Sequence, residues 1–275
     1  MTQFLDEVYE TIDEQHRDRP AATRRQLVAG AAATLGGMGL LGVAQNAFAQ
    51  SSGLPKSSRN AAPNTPENIV NIAATAEVLA TIVNTVGPEK VSLDATTRAN
   101  IQAAAREELI HYQVLTSSAV GATPLTKRIW VPDAVFASRE SLLGTLVVGD
   151  QIFINAYLLG GTVFARAGGL AGSRFARIAA EFMGVEAVHR ALALQSLGRL
   201  GNDRAFMRFS QREEATGLPT SGSPGFYEIT DAVTALEGAG FGFGKQGSPA
   251  GQFYDFDEVS RRTPDPVGVN TRTPA

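Results

Sequence analysis

The sequence predicts an all-α fold: a four-helix bundle with one long crossover connection and an irregular C-terminal extension. Three observations support this fold class. Four segments between residues 66 and 200 carry apolar residues at intervals of three and four, which is the spacing of one helix face. The connections inside the first and second pairs of segments are short, whereas the middle connection runs for about 19 residues. No strand-like alternation of comparable length competes with these segments.

Capping residues and glycines set the expected bounds of each helix. The first helix begins at Thr65-Pro66-Glu67, which supplies an N-cap, a proline at the first helical position and an early acid. It is expected to end at Gly87-Pro88. The four expected ranges are 66–86, 94–118, 138 to a glycine pair at 160–161 or 168–169, and 173–197.

The middle connection, with Trp130 at its centre, is long enough to cross the bundle. Fully extended, it reaches roughly 60 Å at about 3.3 Å per residue. A helix of about 22 residues is only about 33 Å long. We therefore expect two antiparallel hairpins joined by one crossover, with the bundle occupying residues 66–200.

The N-terminal segment is typical of an export signal. Arg24 and Arg25 precede a short Ala- and Gly-rich apolar run, which is followed by the small-x-small pattern Ala47-Phe48-Ala49. We predict a twin-arginine signal over residues 1–49, cleaved after Ala49, and a flexible leader over residues 50–65. The alternative is a membrane anchor, which the shortness and glycine content of the run disfavour.

This interpretation implies an exported protein of the periplasm or cell envelope, with no stable membrane span in its mature form. The twin-arginine translocase is the expected partner during export. The net charge of −3 gives no indication of nucleic-acid binding. The chain contains no cysteine, which excludes disulfides, thiolate metal ligands and a cysteine nucleophile.

Each apolar stripe is interrupted near its middle by an acid, and two stripes add a histidine three residues later. The six residues are Glu77 on the first helix, Glu108 and His111 on the second, Asp150 on the third, and Glu186 and His189 on the fourth. The spacing of three places each Glu and His on one helix face. Four buried carboxylates would repel one another, and two divalent cations would cancel their charge. We therefore predict that these six residues bind two metal ions.

A plainer alternative is that both histidines are ordinary core residues hydrogen-bonded to adjacent acids. The composition favours the metal site, because only three histidines occur in the chain and two stand in this pattern. Carboxylate and imidazole ligands suit iron or manganese better than copper or calcium.

Several segments resemble the ferritin-like domain family that includes desiccation-related proteins of plants and bacteria. The matching pieces are Ala76-Glu77-Val78-Leu79, Glu107-Glu108-Leu109-Ile110-His111, Gly149-Asp150 with Ala156-Tyr157-Leu158-Leu159-Gly160, Gly184-Val185-Glu186-Ala187-Val188-His189, and the crossover piece Gly121-Ala122-Thr123-Pro124. The third-helix acid of that family is usually Glu, seven residues before the tyrosine. Asp150 is shorter, which implies a weak or empty second metal position.

The resemblance implies a di-iron carboxylate protein that acts on O₂, peroxide or Fe(II). A di-manganese, catalase-like activity is a rival within the enzyme class. A non-enzymatic stress or desiccation protein, with a structural or vestigial metal site, is the alternative from another class. The sequence carries no sign of the cage-forming surfaces of storage ferritins.

Three neighbours of the predicted ligands have plainer interpretations. Glu107 is an alternative ligand to Glu108, but we expect it to pair with a base at the helix surface. Glu181 falls off the ligand face and is expected to be solvated. Tyr157 is expected to be a core residue, and a hydrogen bond to a ligand or electron donation is the alternative.

The C-terminal extension, residues 201–275, carries few regular signals. We expect one short helix over residues 229–236 and disorder over about the last ten residues. The glycine run at 238–245 is not a phosphate-binding loop, because Ala239 and Gln246 break the motif. Instead, Phe241 and Phe243 are expected to pack onto the bundle.

Overall fold

The computed structural model describes residues 64–202, 211–212, 219–220, 226 and 228–266. Most of these residues are helical, as the sequence predicted. The long helices are α1 (Pro66–Lys90), α2 (Ala95–Thr116), α3 (Arg139–Ala167) and α4 (Gly169–Ser196). The predicted signal (1–49), the leader up to residue 63 and the tail from residue 267 lie outside the described part.

The first three helices begin within one residue of the predicted starts. Thr65, Asp94 and Ser138 each accept a hydrogen bond from the backbone N–H three residues further on. Such caps satisfy backbone donors that the first helical turn leaves unpaired. The starting points of α1, α2 and α3 therefore follow from local chemistry.

Helix α1 continues past its expected end. Gly87 and Pro88 lie inside its last turn, and the helix closes where Val91 N donates to Gly87 O at 2.9 Å. A β-carbon at Gly87 would lie 2.8 Å from Cδ2 of Leu142 on α3. The expected end at residue 86 was wrong, because this glycine admits the neighbouring helix instead of breaking its own.

A single residue, Gly168, separates α3 from α4. Its φ of 73° lies in the left-handed region, which glycine adopts without strain. Helix α4 begins immediately at Gly169 and not at the expected Ser173. Gly172 allows this tight start, because a β-carbon there would lie 2.5 Å from the backbone oxygen of Phe164.

The long helices pack as two hairpins, α1 with α2 and α3 with α4. Besides the Gly87 contact, Ile69 at the start of α1 lies against Gly160 in the second half of α3. Thr97 at the start of α2 donates to Ser196 Oγ at the end of α4. Helix α1 is thus antiparallel to both α2 and α3, so α2 and α3 are parallel and their link must run the length of the bundle.

Residues 117–138 form this link along α1. Near its start, Thr123 N donates to Asn71 Oδ1 at 2.7 Å. Near its end, the ammonium of Lys90 lies 5.5 Å from the ring centroid of Phe136. The connection therefore follows α1 from its first turns to its last residue, as a crossover requires.

The mostly helical fold is consistent with the predicted all-α class, and a small antiparallel sheet accompanies it. Strand β1 (Arg128–Pro132) lies in the crossover; β2 (Gln211–Arg212) and β3 (Pro219–Thr220) form a separate pair; and β4 (Gly242–Phe243) and β5 (Gly251–Asp255) flank β1. The flanking strands are short and lie more than a hundred residues after β1, so no local pattern indicates their pairing.

The C-terminal extension is also more regular than expected. Helix α5 (Thr230–Gly238) confirms the short helix predicted over 229–236, with bounds one to two residues later, and α6 (Phe256–Val259) follows β5. Phe241 is buried and Phe243 packs against the core, as predicted. The described part of the extension therefore adds a layer to the bundle.

Helices α1 and α3 are long and apolar enough to span a membrane by length and composition alone. In the most apolar window of α1 89% of the residues are buried, and in that of α3 61% are buried. Both helices pack against other elements of the protein, which is also the position of an apolar core helix.

Candidate metal centre

The four long helices bring their interrupting acids and histidines into the interior. The exposed fractions are 0% for Glu77, Glu108 and Glu186, 4% for His111, 5% for Asp150 and 7% for His189. Charged groups are almost never buried this completely unless they are paired or coordinate a metal. The charge of these buried side chains therefore needs a compensating partner.

His111 lies at the centre of three carboxylates. Its Nδ1 is 3.5 Å from Glu77 Oε2, 3.3 Å from Glu108 Oε2 and 3.5 Å from Glu186 Oε1. One ligand atom from each of the four residues lies within 4.8 Å of the other three. A metal ion about 2.1 Å from each atom would separate neighbouring ligand atoms by roughly 3.0–3.5 Å. These four residues can therefore hold a metal ion.

His189 faces the opposite oxygens of two of the same carboxylates. Its Nδ1 is 3.2 Å from Glu108 Oε1 and 3.6 Å from Glu186 Oε2. Glu108 and Glu186 thus each direct one oxygen toward His111 and the other toward His189. The result is two adjacent polar positions that share two carboxylates.

Eight ligand-type atoms of this centre are buried without a hydrogen-bond partner. They are Glu77 Oε2, both carboxylate oxygens of Glu108, His111 Nδ1, Asp150 Oδ2, both carboxylate oxygens of Glu186, and His189 Nδ1. Each of the six predicted ligands contributes at least one. Because buried polar atoms are normally hydrogen-bonded, this concentration of unpaired acceptors at one place fits a cation site.

The electrostatics of the centre favour positive charge. Burial raises the pKa of Glu77 from 4.5 to about 7, although His111 opposes the shift. Burial lowers the pKa of both histidines, but the carboxylates around them outweigh it and raise the pKa of His111 and His189 well above 6.5. Bound protons therefore stabilise the metal-free cluster as a cation would.

Asp150 stands apart from the cluster around His111. It is not among the four residues whose ligand atoms lie within 4.8 Å of one another. Burial, followed by the charge of Glu186, raises its pKa well above the usual range, while His189 and the buried Arg190 act in the opposite direction. A protein cation thus offsets part of the charge of Asp150, which no sequence pattern indicated.

Glu107 contacts His189, contrary to the expected surface ion pair. Its Oε2 lies 2.7 Å from His189 Nε2, and its side chain is 29% exposed. If Nε2 carries the proton, Nδ1 presents its lone pair to Glu108 and Glu186. A carboxylate in this position is common behind metal-binding histidines.

Two aromatic residues contact the side of the centre formed by Glu77 and His111. The Tyr157 hydroxyl donates to Glu77 Oε1, so the alternative interpretation of Tyr157 as a partner of a ligand was correct. Burial, with the charge of Glu77, raises the pKa of Tyr157 well above 10, which keeps it a donor. The ring of Phe182 stacks on His111 with 3.9 Å between centroids, a contact that helix periodicity alone does not reveal. Glu181 is exposed, as expected.

Comparison with known proteins gave no match. No protein-family model matches the chain, and no significant similarity was found to a curated protein or to a solved structure. The ferritin-like resemblance therefore remains a prediction from the residues that carry it, and the case for a function depends on the site itself.

Proposed function

We propose that the chain is an exported ferritin-like protein that binds two divalent metal ions, iron or alternatively manganese, and acts on O₂, peroxide or Fe(II). The observation that carries this proposal is the convergence of eight unpaired ligand-type atoms from six residues inside the helix bundle. All six residues have the oxygen and imidazole chemistry that iron and manganese accept.

The order of ligand types along the chain supports the ferritin-like assignment. Ferritin-like di-metal proteins take a Glu from each of two helices and a Glu-x-x-His pair from each of the other two. Here α1 supplies Glu77, α3 supplies Asp150, and α2 and α4 each supply a Glu-x-x-His pair. Two hairpins joined by one long crossover are the connectivity of that class.

The proposed ligand sets follow from the distances between five of the residues, and Asp150 is placed with His189 because both line the same small cavity. The first metal would be held by Glu77 and His111, and the second by His189 and Asp150. Glu108 and Glu186 would bridge the two, because each directs one oxygen toward either histidine. This division uses the unpaired atoms of all six residues.

Two bound iron or manganese ions would supply one electron each, which with two protons converts one H₂O₂ into two water molecules; Fe(II), or a second H₂O₂ oxidised to O₂, would return the two electrons for the next turnover. The protein's own residues position the ligands and keep the centre dry. Tyr157 occupies Oε1 of Glu77, leaving Oε2 directed toward His111. Glu107 would accept a hydrogen bond from protonated Nε2 of His189 and connects that histidine to the surface.

The access to the centre limits the size of the substrate. A cavity of about 20 Å³ is lined by Asp150, His189, Asn100 and Ser196 together with apolar side chains such as Leu143. One water molecule requires roughly 10–15 Å³ of such space. The proposed substrates are therefore metal ions, O₂ or peroxide, and not larger organic molecules.

A non-enzymatic stress protein with a structural metal site is the second candidate. The complete burial of Glu77, Glu108 and Glu186, with Phe182 stacked on His111, favours a closed site of this kind. Measuring peroxide and O₂ consumption by the metal-loaded protein separates the two candidates. Sustained turnover supports the enzyme, whereas stoichiometric metal without turnover supports the structural protein.

The proposed export rests on Arg24, Arg25, the apolar run after them and the pattern at residues 47–49. Folded proteins that receive their metal before translocation suit this route. Export is thus consistent with a metal centre that is completed inside the cell.

Metal analysis of the Glu108→Ala, Glu186→Ala double variant tests the proposed centre. We expect loss of bound iron or manganese with nearly unchanged helical content, because bundle packing supplies most of the stability. The matched control is Glu140→Ala with Glu181→Ala, which removes two exposed acids from α3 and α4. Unchanged metal per chain in the first double variant would place the site elsewhere.

A further inference from the structure

We propose that the protein binds dioxygen in an apolar cavity between α1, α3 and α5, and that this cavity leads to the metal centre at Asp150. The use of the bound O₂ rests on the proposed function, whereas the binding itself depends only on the cavity. Among the proposed substrates O₂, peroxide and Fe(II), the cavity favours O₂.

The cavity has a volume of about 40 Å³ and an apolar wall from three parts of the chain. Leu79 and Val83 come from α1, Ile152 and Phe153 from α3, and Leu236 from α5, with Phe241 just beyond it. At roughly 10–15 Å³ per water-sized body, the space suits a diatomic molecule or a xenon atom.

The polar side chains on the wall are turned to partners in the protein. The Thr145 hydroxyl donates to Ser141 O at 2.8 Å, and the Asn84 amide donates to Ala80 O at 3.1 Å. A water or peroxide molecule here would lose hydrogen bonds, which costs free energy that an apolar molecule does not lose. Asp150, whose Oδ2 is unpaired, marks the end of the cavity next to the metal centre.

Polar reagents have a different approach to the same residue. Asp150 and Asn84 also line the smaller cavity, whose wall adds the polar groups of His189, Asn100 and Ser196 to apolar side chains. The two cavities therefore share Asp150 and differ in these three polar groups, which belong to the wall of the smaller one. This arrangement predicts separate entry of O₂ and of peroxide, which an experiment can resolve.

The C-terminal extension forms the roof of the apolar cavity. Leu236, Ala239 and Phe241 belong to α5 and the glycine run that follows it, and all three are buried. A second apolar cavity of about 60 Å³ shares Phe153 and Leu236 with the first and reaches Tyr157. Without this roof, the apolar face of α1 and α3 would lack the wall that forms both cavities.

Gly149 offers a direct way to fill the first cavity. It lines the cavity, and a β-carbon there would meet no heavy atom within 4 Å. Gly149→Leu should therefore place its side chain in the open space. Gly184→Leu is the matched control, because Gly184 lies on α4 with the same free space and does not line the cavity.

Xenon binding to the metal-free full-length protein, measured by ¹²⁹Xe NMR, tests the cavity without any metal. We expect binding to the wild type and to Gly184→Leu, and loss of the Asp150-side component in Gly149→Leu. Leu236→Ala should increase xenon binding by enlarging both cavities, and it provides a second test if Gly149→Leu fails to fold. Absence of xenon binding to the wild type, or no change in either cavity variant, would overturn the proposal.

Stopped-flow oxidation of anaerobically Fe(II)-loaded protein tests delivery to the metal centre. We expect Gly149→Leu to react roughly tenfold more slowly with O₂ and at the wild-type rate with peroxide, while the control matches the wild type with both. Equal slowing with both oxidants would overturn the separate O₂ route. Failure of the wild type to bind iron would overturn the delivery of O₂ and the proposed function, while the xenon result would still decide the cavity.

Discussion

Asp150 is the residue that makes the two proposed metal positions unequal. Its side chain is one C–C bond, about 1.5 Å, shorter than that of a glutamate. The positive charge of Arg190 also acts on Asp150 and opposes the rise of its pKa. Both properties should weaken metal binding by Asp150, whereas Glu77, Glu108 and Glu186 converge around His111.

Titration with Mn(II), monitored by calorimetry, should therefore show two unequal binding steps. Asp150→Glu should tighten the weaker step by extending the carboxylate, and Asp150→Ala should abolish that step while leaving the stronger one. If neither substitution changes the weaker step, Asp150 is not a ligand. The centre would then consist of the cluster around His111 with at most the oxygens facing His189.

The effect of pH on stability should reverse when metal is added. Glu77 has its pKa raised to about 7, and both histidines have raised pKa values, so the folded metal-free protein holds protons that the unfolded chain releases. This contribution is present below the unfolded pKa values and is lost as pH rises through the folded ones. Metal binding requires deprotonated ligands and strengthens over the same range.

We therefore expect the difference in Tm between metal-loaded and metal-free protein to widen from about pH 5 to about pH 8. Thermal unfolding, monitored by circular dichroism with and without Mn(II), measures this difference in Tm. The Glu108→Ala, Glu186→Ala variant should show no difference at any pH. A constant or narrowing difference in the wild type would contradict the assigned ligands.

At the residue scale, the candidate site was largely visible in the sequence. An acid with a histidine three residues later is rare in a chain with three histidines, and it interrupts an otherwise apolar stripe. Phe182, Glu107 and Arg190 were less visible, because an aromatic residue or a surface charge next to a ligand occurs on most helices. Their contacts with the site depend on how the helices pack.

At the element scale, Gly172 and Gly184 on α4 have opposite roles. A β-carbon at Gly172 would meet the backbone oxygen of Phe164 at 2.5 Å, whereas one at Gly184 meets nothing within 4 Å. The first glycine permits the single-residue connection at Gly168. The second only lowers the helix propensity of an exposed position.

Gly172→Ala should therefore destabilise the metal-free protein by roughly 1–3 kcal/mol, because backbone must move to relieve the clash. Gly184→Ala should stabilise it by about 0.5–1 kcal/mol through helix propensity. Urea unfolding of the two variants and the wild type gives both values. Equal effects of the two substitutions would show that α3 and α4 are not packed as closely as described here.

The starts of α1, α2 and α3 were predictable because caps are local, whereas the start of α4, which has no side-chain cap, and some helix ends were not. Gly87-Pro88 is an ordinary stop signal, yet α1 continues because Leu142 packs against the glycine. Strand β1 was missed for a related reason. Its partners β4 and β5 lie far along the chain, and glycines at close contacts such as Gly242 resemble loop residues.

At the scale of the whole molecule, the arrangement of hairpins and crossover could be inferred from connection lengths alone. A link of about 19 residues is needed only if its two helices are parallel, and the contacts of α1 with α3 require that they are. Helix α5 was predicted, whereas the small sheet could not be inferred, since its short strands carry little periodicity.

Export is tested on the intact precursor. Replacing Arg24 and Arg25 together with Lys should retain the precursor in the cytoplasm, because the arginine pair is read by a receptor. Cell fractionation, with detection by an antibody against the bundle, shows where the protein accumulates. Arg17→Lys with Arg19→Lys is the matched control. Normal appearance of a mature form starting near Gln50 in the first variant would contradict a twin-arginine signal.

The burial of α1 and α3 has a consequence for the route by which such a chain can leave the cell. A secretion machinery that threads unfolded polypeptide would present each helix to the lipid as a stop-transfer segment, since both are long and apolar enough to partition into a bilayer. Folding first places most of both segments against other parts of the protein. For this chain, a pathway that accepts only folded cargo would prevent the core of the bundle from being left behind in the membrane.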